Sequence, residues 1–186
     1  MAITDLRQFI QLLEKENDLL RISDEVDLKF DISGYIRNTS DVEGPALLFE
    51  NVKGYSMPVV GGLFSSRRLM LKAMETTEED AVIHYQNAMK NLSEPQLVNS
   101  GPCKEVIKLG AQASVSDFPI PIHSELDSGP FITAGVAISK DIEDGGKNAS
   151  IYRFEQQAER QLGVLSPIPH HLGLHYQKAE ALGKPL

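Results

Sequence analysis

The apolar residues in the first half of the chain follow two different spacings. In some segments they recur every three or four residues, which places them on one face of a helix. In others they form short runs bounded by glycine, proline or asparagine, which is typical of strands. The first spacing predicts helices at residues 6–13, 31–38, 69–73 and 81–89, and the second predicts strands at 19–22, 45–49 and 57–60. Such alternation indicates an α/β layer.

The pattern changes after residue 110. Pro119 and Pro121 stand two residues apart and impose an extended path that excludes a helix. Strands are predicted beyond them at residues 131–139, 150–155 and 162–165, and a helix follows from about His170 to Leu182, where Gly183 ends it. We therefore predict a mixed α/β (α+β) protein with a domain boundary between residues 105 and 118.

Composition and charge narrow the class of function. The 186 residues are 41% hydrophobic and 24% charged, as in ordinary folded proteins, and the formal net charge of −8 argues against non-specific nucleic-acid binding. No segment approaches the roughly 20 apolar residues of a membrane span. Residues 1–17 lack the basic start and apolar block of a secretory signal, and the single cysteine, Cys103, suits a reducing compartment. These features predict a cytoplasmic protein without nucleic-acid or membrane partners.

Histidines near the last predicted helix are the first candidates for chemistry. His171 and His175 share a helical face at a spacing found in some zinc sites, but neither a third ligand nor the glutamate of HExxH accompanies them. We therefore favour an ordinary surface or half-buried pair over a zinc site. The turn from Pro167 to His170 delivers a helix N-terminus, whose free N–H groups suit a phosphate.

The strand near residue 150 is the second candidate. Alternation places Asn148, Ser150 and Tyr152 on one face, and Ile151 and Arg153 on the other together with an alanine. The residues alone favour a half-buried antiparallel strand with an arginine at its exposed end.

Two charged pairs have simple interpretations. Arg67 and Arg68 could hold an anion, but a solvated helix face is favoured, and Glu143 and Asp144 are interpreted as a solvated turn. The sequence has no P-loop, no GxGxxG after a strand and no GxSxG. Without further knowledge, the residues indicate an α/β protein with an anion or metal site near 148–171.

The same segments also carry a specific resemblance. The ordered motifs are DFPIPIHSELDSGPFITAGVAISKD, KNASIYR and SPIPHHLGLHYQKAEALGKPL, preceded by DLRQFIQLLEKENDLLRISDEVD and GPALLFENVKGY. Together they resemble the UbiD family of prenylated-flavin-dependent decarboxylases over essentially the whole chain. The resemblance implies an N-terminal α/β domain at residues 1–112, and the first part of a split β-barrel flavin-binding domain at residues 113–186.

The resemblance also implies a site. Asn148 and His171 match the ligands that hold Mn2+ (or Mg2+) against the flavin phosphate, with K+ close by. Arg153 matches the arginine that orients the substrate carboxylate, and it is the catalytic candidate of this chain. The implied residues that bind the prenylated FMN are Asn148, Ser150, Ile151, Tyr152, Arg153, His170 and His171.

The implied activity is the (de)carboxylation of aromatic or α,β-unsaturated acids, expected to be hydroxybenzoate-type, by a homo-oligomer. The flavin is expected to act covalently, with an acidic side chain protonating the carbon that loses CO2. This sequence departs from the family after Arg153, where many relatives have Met-Gln-Val-Lys. Here the residues are Phe154-Glu155-Gln156-Gln157, which is expected to retune the pocket.

Length is the larger departure from the family. Family chains are more than twice as long, and the resemblance places the third metal ligand and two catalytic glutamates in the remaining part. The chain alone is therefore expected to be inactive, as a fragment, a truncated product or a chain that completes its sheet through another chain. The alternative hypothesis is a truncated, non-catalytic module that binds a flavin phosphate or forms oligomers.

Overall fold

The computed structural model describes residues 3–186, and the packing divides the chain into two compact units, Met1–Ala113 and Ser114–Leu186. Each unit holds one three-stranded sheet, which confirms the mixed α/β class. In the part of the chain described, no helix is long and apolar enough to cross a membrane.

The bounds of the elements are as follows. The first unit contains α1 (Leu6–Lys15), β1 (Leu19–Ile22), α2 (Asp31–Ser40), β2 (Ala46–Phe49), β3 (Val59–Gly61), α3 (Arg67–Ala73) and α4 (Ala81–Lys90), with short 3-10 turns at Pro102–Lys104 and Gly110–Gln112. The second contains a 3-10 turn at Val115–Asp117, then β4 (Phe131–Lys140), β5 (Lys147–Ala158), β6 (Gln161–Val164) and α5 (His171–Ala181).

The sheet of the first unit has the order β1-β2-β3, with β1 parallel and β3 antiparallel to the central strand. Successive side chains of a strand point to opposite faces, so Ala46 and Leu47 pack on opposite sides of β2. The two apolar clusters that result are Phe9, Leu13, Ala46 and Leu69 on one side, and Val26, Ile32, Leu47, Phe49 and Val52 on the other.

Two helices of the first unit begin at a side-chain cap, which accepts a hydrogen bond from a free N–H of the first turn. Asp5 accepts from the backbone of Gln8 at 2.9 Å, and Ser66 accepts from the backbone of Leu69 at 3.3 Å.

Helix α4 begins after Asp80 without a side-chain cap among the described residues. The Thr77 hydroxyl accepts from the backbone of Asp80 at 3.3 Å, which closes a turn before α4 rather than its first turn. The apolar residues of α4 are also not covered, since Val82 is 66% and Tyr85 59% exposed.

The two arginines at the start of α3 form ion pairs with carboxylates. Arg67 pairs with Glu78 at 2.9 Å, and Arg68 pairs with the nearly buried Asp18, which Lys72 also contacts. Burial acts to raise the pKa of Asp18, but hydrogen bonds from Lys72 and Arg68 outweigh it, so the pKa lies below its ordinary value. Both arginines are exposed, as predicted for a solvated helix face, and the ion pairs are an addition that the sequence did not predict.

The sheet of the second unit is antiparallel throughout, with the order β4-β5-β6 and β5 in the centre. Strand β5 begins earlier than the predicted residue 150, because Lys147 and Asn148 pair with Lys140 and Ser139 of β4. The backbone N–H of Asp141 also donates to Gly146 at 2.8 Å, which closes the turn. The first side chains of β5 are polar, so the hydrophobic pattern did not predict this part of the strand.

Helix α5 approaches its own leading turn very closely at Gly173. A methyl group at this buried position would lie 2.9 Å from the carbonyl oxygen of Ser166 and 3.2 Å from that of Pro167. Only glycine allows this approach, so Gly173 fixes the path of the chain into α5.

Candidate functional site

The predicted alternation along β5 is confirmed by burial. Tyr152 is 8% exposed, and Asn148 and Ser150 are half-buried on the same face, whereas Ile151 is 73% exposed on the other. Arg153 is exposed and shares the face of Ile151. The strand thus has a covered face, under α5, and an open face.

The covered face brings five of the predicted residues to the junction of β5 and α5. The Asn148 amide donates to the Ser150 hydroxyl at 2.9 Å, and the ring centroids of Tyr152 and His170 are 6.2 Å apart. His170 occupies the N-cap position of α5, and His171 is its first residue. The cofactor-binding residues expected on this face therefore lie on two elements that contact each other.

A polar network that the sequence did not reveal joins α5 to β4. The buried His175 shares a hydrogen bond of 2.9 Å between its Nδ1 and the hydroxyl of Ser139, which lies opposite Asn148 in the sheet. Its Nε2 is 3.8 Å from a carboxylate oxygen of Asp141, and the rings of His171 and His175 are 6.4 Å apart. His175 is thus engaged by strand β4.

Lysine and aspartate extend this network to the hairpin loop. Lys178 donates to Asp141 at 2.6 Å and pairs with Glu143 at 2.8 Å. Glu143 is exposed, as predicted for a solvated turn, and its ion pair with Lys178 was not predicted. The hydrogen bond from Lys178 lowers the pKa of Asp141 below its ordinary value, aided by the backbone N–H of Glu143, and the same contact raises the pKa of Lys178. Spacing along the sequence could not show this, since the partners meet only when α5 packs on the sheet.

The covered face fits a phosphate and a divalent cation. Oδ1 of Asn148 accepts no hydrogen bond from residues 3–186. His171 is exposed and contacts His175, which is bonded to Ser139, the strand partner of Asn148. A neutral amide oxygen and an imidazole leave the charge balance to an anion such as a phosphate. Helix α5 also starts without a side-chain cap among the described residues, which leaves its first N–H groups for an anion.

Metal binding by acidic, histidine or cysteine side chains alone finds no support in this structure. Within residues 3–186, no three such side chains are grouped as metal ligands. A metal at this junction would therefore need the amide of Asn148 and a further ligand, such as the phosphate itself.

The open face presents Arg153 at a pocket of about 580 Å³. The guanidinium carbon lies 3.6 Å from the centroid of the Phe131 ring, and Nη2 donates to Asp127 at 2.7 Å. The Asp127 side chain is only 11% exposed, and its other oxygen accepts from the backbone of Ser124 at 3.1 Å. The arginine is therefore fixed by an anchored carboxylate and an aromatic face.

The walls of this pocket combine apolar and hydrogen-bonding groups. Its lining consists of Phe131, Val164 and Leu165, the glycine Gly163, and the polar side chains of Arg153, Glu155 and Gln157. A cation above an apolar floor suits a flat, apolar molecule that ends in a carboxylate.

The structure does not bring all the predicted site residues together. Asn148, Ser150, Tyr152 and the two histidines His170 and His171 gather on the covered face. Ile151 and Arg153 lie on the open face, with the pocket. Asp127 lies in the motif DSGPF that carries the resemblance, but its contact with Arg153, 26 positions away, was not predicted.

Two family models match the chain along nearly its whole length. Residues 10–89 match the 3-octaprenyl-4-hydroxybenzoate carboxy-lyase N-terminal domain, and residues 96–186 match the Rift-related domain of the same carboxy-lyase. Among curated proteins, one from the cooM 5′ region of Rhodospirillum rubrum is 38% identical over 190 residues, which cover 100% of this chain and 40% of that protein.

Solved structures give the same picture. The UbiD-class enzyme HmfF from Pelotomaculum thermopropionicum in complex with FMN has a TM-score of 0.89 and 36% identity, over 97% of this chain and 40% of that one. An evolved dimeric form of HmfF in complex with prFMN matches with the same TM-score and identity, over 97% of this chain and 42% of its own. Vanillic acid decarboxylase from Sedimentibacter hydroxybenzoicus has a TM-score of 0.92 and 25% identity, over 100% of this chain and 42% of that one. The chain thus spans about two fifths of the relatives it matches.

Proposed function

The chain belongs to the UbiD family of carboxy-lyases, and we propose that its protein adds or removes CO2 on aromatic or α,β-unsaturated acids with prenylated FMN. The acids are expected to be hydroxybenzoate-type. The observation that carries the proposal is the pocket beside Arg153, where a fixed guanidinium stands over the apolar floor formed by Phe131, Val164 and Leu165.

Arg153 has the geometry to orient a carboxylate. Asp127 uses one nitrogen of the guanidinium and Phe131 covers one of its faces, so the remaining N–H groups are free to donate to a bound acid. An arginine that is already ordered loses little side-chain entropy on binding, which favours a fixed orientation of the scissile carboxylate. We therefore assign Arg153 as the catalytic residue of this chain.

The covered face is proposed to hold the cofactor's phosphate and metal. Asn148 and His171 would bind Mn2+ (or Mg2+), and His170 with the first N–H groups of α5 would contact the phosphate, with K+ nearby. Ser150, Ile151 and Tyr152 would lie along the flavin. When bound, prenylated FMN supplies the electron sink for the departure of CO2. The FMN and prFMN complexes of the similar HmfF support this choice of cofactor.

The remaining parts of the proposal concern the whole protein. We propose that residues 113–186 form the first part of a split β-barrel after an N-terminal domain at residues 1–112, and that the protein is a cytoplasmic homo-oligomer. The dimeric form of HmfF supports the assembly. Because the chain spans about two fifths of its relatives, we propose that the 186 residues alone bind the flavin phosphate without turnover.

Release of CO2 by the protein as its gene encodes it, loaded with prenylated FMN and Mn2+, tests the activity. We expect turnover of at least one hydroxybenzoate, and a loss of about 100-fold when Arg153→Lys removes the planar, two-pronged donor. Arg160→Lys, at an exposed turn, is the matched control and should leave turnover unchanged. Flavin binding without CO2 release from any acid would instead support the non-catalytic module.

Retention of Mn2+ and flavin by the 186-residue chain tests the cofactor site separately. His171→Ala should weaken Mn2+ binding about tenfold or more, because the metal loses one of the two side-chain ligands proposed for it in this chain. Electron paramagnetic resonance would measure the binding. His84→Ala, an exposed histidine of α4, serves as the control. Equal Mn2+ affinities of the two variants would show that His171 is not a metal ligand. Release of CO2 by the 186-residue chain would contradict its proposed inactivity.

A further inference from the structure

Glu155 places a second charged group in the pocket, two residues after Arg153 on the same face of β5. Both side chains line the same pocket of about 580 Å³, so one bound molecule can contact Arg153 with its carboxylate and Glu155 with a substituent at its other end.

The Glu155 carboxylate is held in place but retains free acceptor capacity. One of its oxygens accepts from the hydroxyl of Ser128, and the other accepts from the amide of Gln157 at 3.4 Å. An ionised carboxylate offers about four acceptor positions and no donor. At least one position therefore remains for a group that donates a hydrogen bond, and none is available to a group that only accepts.

We propose that Glu155 is a specificity residue, which selects acids that carry a hydrogen-bond donor opposite the carboxylate and rejects acids that carry a second carboxylate there. The inference rests on the proposed binding of an acid at Arg153 and adds the chemistry at the other end of the ligand. A hydroxyl, amino or ring N–H group would donate to Glu155, whereas a second carboxylate would meet a like charge in a partly desolvated pocket.

A substitution by glutamine tests this role. Glutamine has nearly the same shape as glutamate, but it is uncharged and its amide both donates and accepts. Glu155→Gln keeps the shape of the side chain and one accepting oxygen, but it removes the charge and replaces the other accepting oxygen by an NH2 group that donates. The variant should therefore accept a second carboxylate without losing the fold.

Calorimetric titration of the 186-residue chain with 4-hydroxybenzoate and with benzene-1,4-dicarboxylate provides the measurement. The chain should bind the hydroxybenzoate at least about tenfold more tightly, and Glu155→Gln should bring the two dissociation constants within about threefold of each other. Glu159→Gln, an exposed position outside the pocket lining, removes the same net charge and should leave the tenfold ratio intact. Circular dichroism would verify that each variant is folded.

The outcomes separate this inference from the proposed function. Equal affinities for the two acids in the unchanged chain, or a ratio that Glu155→Gln leaves as it was, would overturn the role of Glu155 while the acid site at Arg153 stands. Failure of the folded chain to bind either acid would overturn both the role of Glu155 and the proposed acid site. Binding of both acids that persists in Arg153→Ala would show that they bind elsewhere, and would likewise overturn both.

Discussion

The two units of the chain hold their elements together in different ways. In the first, nine buried apolar side chains form two clusters on the two sides of β2. In the second, the buried apolar residues are fewer, and polar groups are buried with them: Ser139, Asp141 and His175, which join α5 to β4 and the hairpin loop. The residues proposed to bind cofactor and substrate lie in the second unit.

The difference shows how position is specified in each unit. Apolar burial is not directional, so it stabilises a layer of helices on a sheet without fixing any one atom strongly. Hydrogen bonds and ion pairs hold their partners at defined distances and angles, and a buried polar group loses free energy if its partner moves away. The second unit therefore has less apolar support but a more closely defined arrangement around α5.

The largest expected effect breaks the core of the first unit. Leu47→Ala, at a side chain 1% exposed, should lower the free energy of unfolding by about 2–5 kcal/mol, because it leaves a cavity between β2 and α2. Leu20, its partner in β1, is 50% exposed, and Leu20→Ala should cost about 1 kcal/mol or less. Urea denaturation followed by NMR signals of each unit gives both values. Similar losses for the two variants would contradict a core centred on β2.

An intermediate effect concerns the seating of α5. Gly173→Ala should destabilise the second unit by about 1–3 kcal/mol, since the added methyl group meets the carbonyl oxygens of Ser166 and Pro167. Gly34, in α2, has open space around it, and Gly34→Ala should stabilise the first unit by about 0.5–1 kcal/mol. Thermal unfolding of each variant checks that the two changes in stability have opposite signs. An increase in stability for both variants would show that α5 can shift without a cost in free energy.

The smallest expected effect is a pH dependence of the second unit. The hydrogen bond from Lys178 holds the pKa of Asp141 below its ordinary value of about 3.9. This hydrogen bond contributes fully to the stability of the second unit above the ordinary pKa, and the contribution is lost as the pH falls through the lowered pKa of the folded state. Asp141→Asn should therefore flatten the acid dependence of unfolding for the second unit below about pH 4. Asp18→Asn should flatten the acid dependence only for the first unit. If Asp141→Asn leaves the pH dependence of the unfolding free energy unchanged, the Lys178 contact is not its source.

Much of the fold could be predicted from the sequence because its patterns are local. Spacing predicted the helices and strands of the first unit, and the caps at Asp5 and Ser66 are local as well, since each bonds the backbone N–H three residues further on. The alternation along β5 likewise follows from strand geometry alone. Element ends were less predictable, as at Lys147, because the pairing that extends β5 depends on the opposite strand.

The candidate site was predictable only in part. The resemblance named Asn148, Arg153 and His171, and the alternation along β5 predicted that Arg153 lies on the face opposite Asn148, but neither predicted the partners that hold these side chains. The contacts of Arg153 with Asp127 and of His175 with Ser139 join residues 26 and 36 positions apart. Such contacts arise when the sheet and α5 pack together, and no short-range pattern carries them.

The two-sided strand at residues 147–158 has a consequence for how this protein can change. Because side chains alternate with a period of two, insertion or deletion of one residue between Asn148 and Arg153 would exchange the contents of the two faces. Substitutions do not have this effect, since each stays on its own face. The chain can therefore acquire a new ligand preference at Glu155 while Asn148 keeps its surroundings, but only by changes that preserve length.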